Sequence, residues 1–165
     1  TSQEHNTVII DSDNALFSGT GVKSLLSAIS IGRANYKFTE NNKSIIWNIP
    51  CQNNAKWIRI LKVESDSIIT ITDKVESCKA ARGFLNLRLC VKPNQVSATH
   101  IEFLFDEYIC EIKQLNKHHL VIESTEFYPQ YGEKIQSKRL SWKASTEDGH
   151  VESIIQISIK KMDVK

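Results

Sequence analysis

Phe84-Leu-Asn-Leu-Arg-Leu-Cys-Val91 alternates along its whole length. Leu85, Leu87, Leu89 and Val91 fall on one face and Asn86, Arg88 and Cys90 on the other. A period of two with one apolar side marks a half-buried antiparallel strand, because successive side chains of an extended chain point to opposite faces. Pro93-Asn94-Gln95 reads as the turn that follows, and Ala98–Phe105 repeats the pattern through Ile101, Phe103 and Phe105.

The same reading extends in both directions. Upstream, 34–38 and 44–49 flank the polar turn Glu40-Asn41-Asn42-Lys43, and 56–63 and 67–72 flank Glu64-Ser65-Asp66, as two hairpins would. Downstream, 108–115, 119–123, 139–144 and 151–159 continue the series. One helix is expected near the amino terminus, where Val22, Leu25, Leu26 and Ile29 share a face, Ser18 or Thr20 supplies a cap and Gly32 an end. The expected class is mainly β, a short helix followed by antiparallel strands in a barrel or sandwich. Pro129 and Gly132 interrupt the pattern, which places any boundary in 124–133.

The chain has 165 residues, 41% hydrophobic and 24% charged, enough for a packed core and too apolar for a disordered chain. Its charge, 21 − 19 = +2, gives no chain-wide attraction to nucleic acid or membrane, so an anion site has to be a local cluster. No apolar run reaches the roughly 18 residues that span a bilayer. Of the four cysteines none forms a Cys-x-x-Cys pair, and reduced structural thiols in a cytoplasmic protein are expected. There is no Gly-rich phosphate loop, nucleophile elbow or His-Glu-x-x-His, and the five histidines are scattered. Neither an enzyme, a metal nor a cofactor is expected.

Ile135-Gln-Ser-Lys-Arg-Leu-Ser-Trp-Lys143 puts three cations and a tryptophan in nine residues. In an extended chain Arg139 and Lys143 share one face with Ser141, while Lys138 and Trp142 share the other with Leu140. Arg139 and Lys143 are then placed to grip one anion, a planar fork of donors beside a mobile point charge. The alternative is a wet strand face. Phe127, Tyr128, Tyr131 and Trp142 among these cations suggest base stacking, but Glu123, Glu126, Glu133, Glu147 and Asp148 cancel the field that single-stranded nucleic acid requires.

Taken together, Lys56–Val63, Ser67–Asp73, Ala80–Leu89 and His100–Phe103, behind the expected helix, resemble the flagellar-brake proteins, the PilZ-type receptors for cyclic di-GMP. The resemblance implies a split-barrel-like domain over 1–123 and a linker with a short β region over 124–165. Gln136, Lys138, Arg139 and Lys143 resemble the family's Gln-Arg-Arg-x-x-x-Arg motif, and Ser158 is the retained serine of its Asp/Asn-x-Ser-x-x-Gly motif. Arg139 and Lys143 would contact phosphates, Lys138 would assist and Ser158 would donate a hydrogen bond. Lys143 cannot form a bidentate fork and Lys161 puts a side chain where the family has glycine, so a weak or degenerate receptor is expected. The function implied is a non-enzymatic bacterial regulatory module with cyclic di-GMP or a protein as partner. The other class is a β-rich protein–protein adaptor or assembly subunit without nucleotide, pairing through an exposed strand such as 151–159.

Overall fold

The computed structural model describes residues 8–10, 13–14, 35–40, 43–51, 55–87, 92–127, 132 and 134–162. Its strands are β1 (Val8–Ile10), β2 (Asp13–Asn14), β3 (Asn35–Thr39), β4 (Ser44–Pro50), β5 (Lys56–Ser65), β6 (Ile68–Glu76) and β7 (Ala80–Leu87). They continue as β8 (Asn94–Ser97), β9 (His100–Phe105), β10 (Tyr108–Gln114), β11 (Val121–Phe127), β12 (Ile135–Ser145) and β13 (His150–Lys161). All pair antiparallel, in a five-stranded sheet ordered β11-β12-β7-β1-β2 and an eight-stranded sheet ordered β3-β4-β5-β6-β13-β10-β9-β8. The protein is mainly β, and among the described residues the sheets are open, with no closed barrel. The helix expected over 22–29 and residues 88–91 of the opening strand lie outside the described residues. Among those described, no helix is long and apolar enough to cross a membrane.

The chain changes sheet at a corner. Residues 77–79 carry β6 into β7, and residues 146–149 carry β12 into β13 beside them. The Cys78 N–H donates to Gly149 O at 3.3 Å and the Thr146 N–H to Lys79 O at 2.9 Å, so the two crossings are hydrogen-bonded to each other. Gly149 has φ +82°, a conformation glycine adopts without steric cost.

Alternation then decides what the sheets enclose. Leu140 and Trp142 of β12, Ala81 of β7 and Ile10 of β1 face Trp57, Val75, Ile101, Ile112, Val151 and Ile155 of the larger sheet, in one buried cluster. Trp142 lies over Gly83, its cross-strand partner, and a Cβ there would sit 2.1 Å from the indole. The same indole stacks on His118, ring centroids 5.8 Å apart and planes 19° apart, while His118 Nε2 lies 2.9 Å from Glu152 O. Asp73, 2% exposed, accepts from Trp57 Nε1 at 2.8 Å and takes the Arg59 guanidinium in a fork at 2.7 and 2.8 Å. Gln114 Nε2 donates to Ser153 Oγ at 2.8 Å in the same interior.

Three expectations meet the structure differently. Strand 151–159, expected as an exposed edge, is interior, because β13 pairs with β6 on one side and β10 on the other. Asn94 and Gln95, expected in the turn 93–95, open the edge strand β8, held by Gln95 Nε2 donating to Leu120 O at 2.8 Å. The expected boundary at 124 runs through β11, and the strands beyond it join both sheets.

Gly83→Ala would force a methyl group into a fully packed indole. It should lower stability by about 1–3 kcal/mol, the usual cost of overpacking a core, in urea unfolding followed by tryptophan fluorescence.

Candidate functional site

The outer face of the five-stranded sheet brings two arginines and a lysine onto one surface. Glu123 of β11 stands opposite Arg139 of β12, and Arg82 of β7 stands opposite Lys143 of β12, which puts all four side chains on one face. Arg139 donates to Glu123 Oε2 from Nε at 2.7 Å, and its Nη2 lies 2.7 Å from the same oxygen. Arg82 pairs with Oε1, and Ser141 Oγ donates to Oε1 at 2.8 Å. Burial pushes the Glu123 carboxyl up, but the Ser141 and Arg139 hydrogen bonds and the Arg82 charge outweigh it, so the group sits below its ordinary range. Lys143 is exposed. Two guanidinium groups thus flank one carboxylate, and Lys143 stands on the same face opposite Arg82, an arrangement of cations that suits an anionic group.

A second cluster lies on the outer face of the eight-stranded sheet. Glu111 of β10 stands between Glu102 of β9 and Ser158 of β13. Lys113 Nζ reaches Glu111 Oε2 at 2.9 Å, Lys160 Nζ reaches Oε1 at 3.1 Å, and Ser158 Oγ donates to Oε2 at 3.1 Å. The Lys113 and Lys160 hydrogen bonds, Lys113 foremost, hold the carboxyl at about 2. His100 Nε2 lies 3.3 Å from Glu102 Oε1 without hydrogen-bond geometry. The ligand atoms of His100, Glu102 and Glu111 fall within 4.8 Å of one another. Two ammonium groups already occupy the oxygens of Glu111, so a cation would have to displace them. The chemistry fits an ion-pair cluster, not a metal centre.

Of the four residues expected to bind an anion, the structure brings two together. Arg139 and Lys143 share a face, as the extended-strand reading requires. Lys138 lies on the opposite face with Leu140 and donates to Ser124 Oγ at 2.8 Å. Ser158 belongs to the other sheet and is buried against Glu111. Trp142 is core and closed to base stacking. Sequence reasoning missed Arg82 and Glu123. Arg82 had a signal, since it continues the Asn86 face of β7 at the same parity, whereas Glu123 depends on cross-strand register. Burial pushes the Cys51 thiol up to about 11 and raises Cys110 too, which disfavours the thiolate at both.

No family model and no curated protein matches the chain. Solved structures do. The heparan sulfate lyase HepC from Pedobacter heparinus aligns with a TM-score of 0.76 at 12% identity, over 99% of this chain and 25% of that one. A structure described as heparinase III, the BT4657 gene product, gives 0.72 at 15%, over 96% and 24%. Another described as heparinase III gives 0.75 at 10%, over 98% and 24%. At such identities the likeness establishes the fold alone. The chain spans about a quarter of the length of the structures it matches.

Glu111 is held at about 2 against an ordinary 4.5, and Glu123 is lowered in the same direction. The unfolded chain therefore binds more protons in this window. The stabilisation is complete above 4.5 and is lost as the pH falls towards about 2. Urea unfolding at a series of pH values should show this acid limb, and Glu111→Gln should flatten it.

Proposed function

We propose that the chain is a β-sandwich module of a protein that handles acidic polysaccharide, and that Arg82, Arg139 and Lys143 on the five-stranded sheet contact the saccharide's anionic groups. The observation that carries this reading is a likeness to heparan sulfate lyases that takes in nearly the whole chain while using a quarter of theirs. The placement of Arg82, Arg139 and the exposed Lys143 on one face supports it, because sulfate and carboxylate groups are planar or multivalent acceptors that suit guanidinium forks. The module binds and orients, and catalysis lies outside it.

The second reading is the regulatory one, a weak or degenerate cyclic di-GMP receptor, favoured by the shared face of Arg139 and Lys143. It carries with it the split barrel, the amino-terminal helix and the cytoplasmic setting that the flagellar-brake resemblance implies. A protein–protein adaptor without nucleotide completes the alternatives.

Calorimetric titration with heparan sulfate oligosaccharide and, separately, with cyclic di-GMP distinguishes them. Saccharide binding that weakens with added salt is expected, and Lys143→Ala should reduce it severalfold without changing the melting temperature, because Lys143 is exposed. Absence of saccharide binding overturns the first reading, and selective nucleotide binding replaces it with the second.

A further inference from the structure

The five-stranded sheet covers only the corner half of its partner's inner face. Cross-strand register follows that face from the buried core to its open end. Ile155 stands beside Ile71, Ile71 beside Leu61, Leu61 beside Ile45 and Ile45 beside Phe38, so the line begins in the core and ends at an aromatic ring 57% exposed. Ile112, Ile157 and Ile69 make the next line. Beyond them come Ile159 of β13, 48% exposed, and the cross-strand pair Tyr108 and Phe105, the latter 52% exposed. Phe38, Ile69, Ile159, Tyr108 and Phe105 thus mark one apolar strip running from β3 to β9. Seven strands at the usual spacing make it about 29 Å long.

Single exposed apolar side chains are ordinary, and Leu104 and Leu115 on the outer face are of that kind. A continuous strip is not. Apolar patches of this extent mark surfaces that another protein layer covers. At one margin of the strip Lys161 is paired with Glu107 at 3.2 Å, so that charge is already answered within the chain. Sheets stack about 10 Å apart, hence the step between the covered and open halves is one layer deep, the thickness of a helix.

We propose that this strip is the docking surface for a further layer of the same polypeptide. The inference rests on the module reading above and on the matched structures, in which three-quarters of the chain lies outside the matched region. A covalently joined layer needs no charge to find its place, which agrees with the strip's apolar character. The interface is then of the permanent, core-like kind.

Hydroxyl-radical footprinting read by mass spectrometry tests this on the 165-residue chain and on the intact polypeptide isolated from its native cell. Phe38, Phe105 and Tyr108 should be oxidised several-fold more slowly in the intact polypeptide, with Leu104 and Leu115 unchanged. Equal rates in the two samples overturn the proposal. So does a native polypeptide no longer than this chain, or protection of the strip in the isolated chain at high concentration, which would make a second copy the occupant. Each outcome is separate from saccharide binding at Lys143, which lies on the other sheet.

Discussion

A carboxylate almost wholly removed from water is tolerated only where donors surround it. Asp73 meets that condition through the Trp57 indole N–H and the Arg59 fork, two residues that alternation puts on the same face of β5, with the Arg59 guanidinium carbon 5.0 Å from the Trp57 ring centre. The arrangement has consequences beyond its own energy. It holds β5 and β6 in one register, since a slip by a single residue would turn both donors to the opposite face. It also fixes the indole of Trp57 in the interior cluster that Trp142 enters from the second sheet. Register in the larger sheet and packing between sheets therefore share one polar centre.

The alternation of 84–91 and its neighbours made the antiparallel β character legible, because large aliphatic side chains announce a period of two. The true start of β7 was hidden, since Ala81 and Gly83 occupy inward positions that had to be small beneath Trp142. The edge strand β8 was hidden for the opposite reason, its residues being polar and exposed, so they carry the composition of a turn. Strand order was not legible at all. Nothing local in 151–159 says that it inserts between β6 and β10, since apolar and polar positions alternate in edge and interior strands alike. The candidate site shows the same division. That Arg139 and Lys143 share a face follows from parity along one strand. That Glu123 clamps Arg139, or that Ser158 lies on a different sheet, follows from pairing between strands far apart in sequence.

Charge in this protein is mostly spent on itself. Glu111 draws in Lys113, Lys160 and Ser158, and Glu123 draws in Arg82, Arg139 and Ser141. Both clusters fasten neighbouring strands on outer faces. Among the described residues, the second also has the exposed Lys143 on its face. The open strip on the inner face answers a different need, for it offers area and no charge.

The buried carboxylate of Asp73 holds the register of the larger sheet and the seat of Trp57 together. Asp73→Ala removes the acceptor that both donors face, and equilibrium unfolding in urea at neutral pH should show a loss of about 3–5 kcal/mol, the cost of breaking a buried ion pair from one side. A loss under about 1 kcal/mol, the size of an exposed pair, would contradict the claim that this centre sets the register of the larger sheet and the seat of Trp57.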